Sequence, residues 1–137
     1  MSPLFEQIDA AAGVYYGFPA TSDQIIRTQQ ELYLNSLPVI PEDYVEFLRY
    51  CNIVSFDGNS LYGINPNGYS GDILSENLNQ KLPLPDILIL GANDFDLLAY
   101  NAAQNIYQII DKDDFKVLQT YQNLNEAGCC ILKIDND

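Results

Sequence analysis

Two short acidic groups are the first places where residue type and spacing could do chemistry. Asp94-Phe95-Asp96 sets two carboxylates at i and i+2. In a strand such a pair shares one face and could hold Mg²⁺ or Ca²⁺ through hard oxygen ligands. Asp111, Asp113 and Asp114 form the second group. An EF-hand loop counted from Asp111 needs glycine at its sixth position and glutamate at its twelfth. Lys116 and Gln122 stand there instead. Both groups therefore read more simply as polar turns, at the entry to a strand and at the tip of a hairpin, and no metal ligand is assigned. A carboxylate pair could also serve glycoside hydrolysis, but that chemistry needs two acids held apart around a sugar, and the sequence selects no such pair.

Other chemistries lose their residues outright. The chain has no histidine, which removes Ser-His-Asp and Cys-His nucleophiles and any His-ligated zinc. Neither GxxxxGK[ST] nor GxGxxG occurs, so no phosphate loop or cofactor site is expected. Cys51, with no imidazole to activate it, reads as a small buried hydrophobe.

What remains is a surface. Nineteen acidic residues against six basic ones give a net charge of −13 over 137 residues. Such a polyanion is repelled by nucleic acid and by anionic lipid, so neither is an expected partner. Ten tyrosines and six phenylalanines accompany the acids. Tyrosine beside carboxylates is an interface composition, because the ring gives large contact area at small entropic cost. The expected partner is a cationic protein. The expected contact set is Asp94, Asp96, Asp111, Asp113 and Asp114, with Tyr100 and Tyr107 as anchors.

The elements that must position these residues follow from period and punctuation. Residues 3–12 read as an Ala-rich helix with Pro3 in its first turn and Gly13 as its stop. Thr21 and Gln24 have capping-box spacing and open a second helix, whose expected apolar face is Ile25, Ile26, Leu32 and Tyr33. Pro41 at a first helical position, followed by Glu42 and Asp43, starts a third, with Tyr44, Phe47, Leu48 and Cys51 on one face. Asp57-Gly58-Asn59 between Val54-Phe56 and Leu61-Ile64 predicts a hairpin, and residues 65–68 another turn. Residues 69–85 read as an irregular connection with one helical turn around residues 72–79. Strands are expected at residues 87–90, 97–100, 106–110 and 115–121, joined by links too short for parallel crossovers. Asn123 and Glu126 then cap a short final helix, and residues 135–137 are expected to fray. The fold class is α+β: an antiparallel meander with N-terminal helices and a C-terminal helix on one face, in a single domain spanning residues 1–137.

The opening residues lack a basic region followed by a long apolar stretch, so no signal peptide is expected, and no run approaches a membrane span. Three cysteines, two of them adjacent, predict free thiols and a reducing, cytoplasmic setting.

A pattern of residues also resembles the SMI1/KNR4 (SUKH) superfamily. It runs from Leu37-Pro38 through Pro41-Glu42-Asp43-Tyr44-Val45-Glu46-Phe47-Leu48 to Asn52 and Leu61-Tyr62-Gly63. It resumes at Ile89-Leu90-Gly91, Asp94 to Tyr100 and Asn105-Ile106-Tyr107, so that about residues 22–132 are covered. Members often carry a glycine after the helix-end asparagine, where this chain has Ile53, and a tryptophan, which it lacks. Bacterial members are largely immunity proteins that neutralise toxin domains, often nucleases, and a fungal branch acts in cell-wall and signalling regulation. The resemblance implies no catalytic residues. It implies a non-enzymatic binder of a toxin domain; a regulatory scaffold for a cellular partner and a carboxylate- or metal-dependent hydrolase stand as the alternatives.

Overall fold

The computed structural model describes residues 2–67, 70–80 and 85–134. Its α+β fold consists of a seven-stranded antiparallel open sheet and, among the described residues, five helices. The elements are α1 (Pro3–Ala10), β1 (Tyr15–Gly17), α2 (Ser22–Leu34), α3 (Glu42–Leu48), β2 (Asn52–Phe56), β3 (Asn59–Leu61), α4 (Ile73–Gln80), β4 (Ile87–Ala92), β5 (Asp96–Asn101), β6 (Ile106–Asp111), β7 (Val117–Tyr121) and α5 (Leu124–Leu132). Spatial order equals sequence order, so the sheet is a meander with β1 and β7 as its edges. None of the described helices is long and apolar enough to cross a membrane.

Capping decides several helix starts. The Ser2 hydroxyl accepts from the Phe5 N–H and Pro3 fills the first turn of α1. Thr21 and Gln24 bond reciprocally, side chain to backbone, at the head of α2. Asn123 accepts from the Glu126 N–H to start α5. The β2–β3 hairpin turns on Asp57 and Gly58, at φ 50° and 83°. Two successive left-handed residues are what a tight turn of this hand requires.

Several boundaries and faces differ from the sequence reading. Pro41 lies at the N-cap rather than inside α3, and the helix ends at Leu48, so Cys51 is buried from the following segment and not from the helix face. In α2 the inward residues are Ile25, Thr28 and Leu32, while Ile26 and Tyr33 are exposed. Steps of three and four set that stripe, and Ile26 is rotated about 100° off it. The segment taken as irregular holds the two-turn helix α4, capped by Asp72, whose carboxylate accepts from the N–H and hydroxyl of Ser75. β7 begins at Val117 because Phe115 sits at φ 60°, outside extended backbone. β1 was not foreseen. Gly68 of the second expected turn, residues 69 and 81–84 of the connection, and residues 135–137, which were expected to fray, lie outside the described residues.

α5 lies against β3, β5, β6 and β7 and carries α1 on its back; α4 runs beside β4 and touches α2. Leu97, Leu98 and Ala99 are buried in succession, so both sides of the sheet centre are shielded from water. Where β3 stops short, the Asn77 carboxamide of α4 completes the ladder of β4: its Nδ2 donates to the Ile89 carbonyl and its Oδ1 accepts from the Ile89 N–H, at 2.9 and 2.7 Å. All three cysteines are free, and burial pushes the Cys51 thiol up to about 12, so it is protonated and inert near neutral pH.

A second knot ties α3 to the sheet. The buried Tyr44 hydroxyl donates to the Tyr62 carbonyl at 2.6 Å and lies 3.2 Å from that of Leu90. Asn52 grips the backbone of Ile64 from both sides, at 2.7 and 2.8 Å. Next to it Ile53 holds φ 54°, a left-handed conformation that costs a β-branched residue roughly 1–2 kcal/mol. In ordinary strands glycine is about 0.5–1 kcal/mol worse than alanine. At position 53 the order inverts: Ile53→Gly is more stable than Ile53→Ala in urea melts. An alanine variant equal to or better than the glycine variant would show that the backbone there is unstrained.

Candidate functional site

The acidic residues singled out from sequence do come together. Asp96 and Asp111 face each other as register partners at one end of the β5–β6 pair. The β4–β5 turn with Asp94 and the β6–β7 turn with Asp113 and Asp114 lie at that same end, linked by a bond from the Lys112 N–H to the Phe95 carbonyl. The turns are held from within. Buried Asn93 accepts from the N–H groups of Phe95 and Asp96, Asp111 from those of Asp113 and Asp114, and Asp114 from that of Lys116. Such bonds fix the loops while leaving most carboxylate oxygens to solvent. Asp94 lies in the bend before β5, so it does not share a strand face with Asp96 as the metal reading required. Lys116 and Asp114 meet at 4.0 Å, the sole ion pair among the described residues, and both are well exposed.

Apolar side chains frame this acidic tip, and the sequence reading had not marked them. Phe95 is 68% exposed with the Lys133 ammonium 5.8 Å from its ring centre, and Val117 and Leu118 are half exposed at the start of edge strand β7. The available signal was Phe95 itself, an aromatic residue between two acids in a turn, where no core position is waiting for it.

Tyr100 and Tyr107 lie at the other end of the same strand pair, also as register partners, with ring centres 5.5 Å apart. The structure therefore separates the expected contact set in two. Tyr100 is partly exposed and its hydroxyl donates to Asn105 at 2.7 Å. Tyr107 is only 2% exposed, and its hydroxyl donates to Asp43 in the first turn of α3. Burial, then the bond to Asp43, raises the Tyr107 hydroxyl far above its ordinary value, so it stays a donor at any physiological pH. In the sequence Glu42 and Asp43 mark a helix start and part of the family pattern, not a site. Register across β5 and β6 and the approach of α3 bring them to the tyrosines, and neither contact is local in sequence.

Two open cavities flank Asp43. One of about 310 Å³ is bounded by Glu42, Asp43, Tyr100, Asn105 and Gln122 among others. The second, of about 450 Å³, shares Asp43 and runs toward Glu46, Leu4 and Leu124. Among the described residues no three His, Cys, Asp or Glu side chains converge in a way that could hold a metal ion. What the site offers is fixed negative charge beside accessible rings. No protein-family model matches the chain, and no curated protein matches it.

Proposed function

We propose that the protein is a non-enzymatic binding domain for a cationic protein partner, an immunity protein of the SMI1/KNR4 type that neutralises a toxin domain in the cytoplasm. One observation carries this reading: a chain of net charge −13 in which, among the described residues, a single weak pair engages the acids. A few other carboxylates, such as buried Asp72, are committed to hydrogen bonds within the fold, while those of the acidic tip form no further ion pair among the described residues and keep oxygens open to an opposite surface. A nuclease displays a cationic cleft to attract polyphosphate, and an inhibitor that imitates the substrate's field speeds its own encounter with that cleft. The acidic tip supplies steering, and Phe95, Val117 and Leu118 supply apolar area beside it.

The backbone supports the family reading too. The residues that carry the resemblance, Tyr44, Asn52, Tyr62, Gly63 and Leu90, meet in the knot between α3 and the sheet. At position 53, where family members often have glycine, the chain holds the left-handed φ that glycine favours.

The test is kinetic. Replacing Asp111, Asp113 and Asp114 by asparagine slows association with a cationic toxin domain by about tenfold at low salt, and the wild-type rate falls as salt is raised. Stopped-flow mixing of the purified chain with the candidate toxin reads both. Rates indifferent to the charges and to salt would remove electrostatic steering, and with it the reason to prefer a cationic partner.

A further inference from the structure

We propose that the cavity between the first turn of α3 and the β5–β6 pair receives the guanidinium of an arginine presented by the partner. The inference rests on the binder reading and names where one of the partner's cations lodges. Glu42 and Asp43 stand at its rim, both exposed, and no lysine or arginine lines it among the described residues. Asp43 is pre-placed: one carboxylate oxygen accepts from the buried Tyr107 hydroxyl, which leaves the other for an incoming donor. Tyr100 is fixed as well, its ring against Tyr107 and its hydroxyl tied to Asn105.

Carboxylate plus ring is the chemistry a guanidinium satisfies best. Its planar fork of donors matches a carboxylate, its flat face stacks on an aromatic ring, and it gives up water more readily than an ammonium does. The side-chain amides of Asn105 and Gln122 offer further acceptors. An anionic ligand would face two carboxylates with no counter-charge. The occupant is a side chain of a protein, because the chain's net charge of −13 is complementary to a cationic protein surface, and a second cavity on the other side of Asp43, toward Glu46 and Leu124, offers a separate depression for residues that flank the arginine.

Acetyl-arginine-amide titrated into the isotope-labelled full chain reads the site directly. Saturable amide shifts concentrated at Glu42, Asp43, Tyr100 and Asn105 are expected. Acetyl-citrulline-amide, of the same shape without the charge, is expected to bind at least tenfold more weakly. Glu42 is exposed, so Glu42→Gln keeps the fold and should weaken the arginine probe severalfold; Tyr100→Leu should do the same. An equal response to citrulline, shifts spread evenly over Asp94, Asp113 and Asp114, or no shifts at all would each overturn the assignment. The two readings fail separately. If Glu42→Gln leaves dissociation of a cationic toxin domain unchanged while the acidic-tip variant still slows association, the pocket is lost and the binder stands.

Discussion

Phe47→Ala lowers the free energy of unfolding by about 3–5 kcal/mol, the range for deleting a fully buried aromatic side chain. Phe47 is completely buried in α3 and packs edge-on against Tyr44, ring centres 5.3 Å apart. Truncation removes its own burial and opens a void beside the ring whose hydroxyl reaches Tyr62 and Leu90. The neighbours are the helix itself and the sheet centre, and neither collapses easily, so the cost belongs at the upper part of the range. Against a total of about 5–15 kcal/mol for a domain, the variant stands near its unfolding threshold. Urea or thermal melts at neutral pH measure the loss. A near-neutral midpoint would mean that Phe47 does not face the core. The same measurement bears on function, because α3 carries Glu42 and Asp43 and its position sets the rim of the cavity.

How much of this was legible in the sequence depends on the range of the interaction. Local signals read correctly: the Thr21–Gln24 box, the Asn123 cap and the Asp57-Gly58 turn are fixed by atoms within three residues. The meander from β4 to β7 was readable because short links leave adjacent apolar runs no partner but each other. β1 was not: its three residues are all exposed, so no alternating pattern marks them, and only pairing with β2, some forty residues away, makes them a strand. α4 was under-read because its contribution is polar. Asn77, a poor helix former by propensity, earns its place through the two bonds to Ile89.

The site divides in the same way. The acids at 94, 96, 111, 113 and 114 are close in sequence to turns, and a hairpin gathers such turns at one end. That the tyrosines belong to the other end follows from register, four residues up the strand from the Asp96–Asp111 pair. No composition argument yields that distance. The contact between Tyr107 and Asp43 spans 64 residues and converts an expected exposed anchor into a buried support for a carboxylate. Reading charge from sequence finds how much there is; the fold decides which charges keep their water and which are held in place.

Gly63→Ala is expected to cost about as much as the loss of Phe47, although it adds one methyl group. A Cβ built on Gly63 would lie 1.8 Å from the Asn52 Oδ1 and 2.6 Å from the backbone nitrogen of Ile53. The backbone atom cannot move freely, because Gly63 is itself pinned by bonds from its N–H to the Gly71 carbonyl and from the Ile73 N–H to its own carbonyl, both 2.8 Å. Asn52 must therefore swing away and abandon both bonds to Ile64. Overpacking of this kind costs about 1–3 kcal/mol, and stranding buried backbone partners adds a comparable amount. The sum is about 2–6 kcal/mol, centred where the Phe47 loss lies. Asn52→Ala loses the hydrogen bonds but opens the space, so the two substitutions share a cause. In the double variant Gly63→Ala with Asn52→Ala the 1.8 Å clash is gone and only the 2.6 Å approach to the Ile53 nitrogen remains, so the combined cost falls short of the two single costs added together by at least about 1 kcal/mol. Additive losses in chemical denaturation would show that Gly63 and Asn52 act independently, and would undo the account of why a glycine follows Leu61-Tyr62 in this chain.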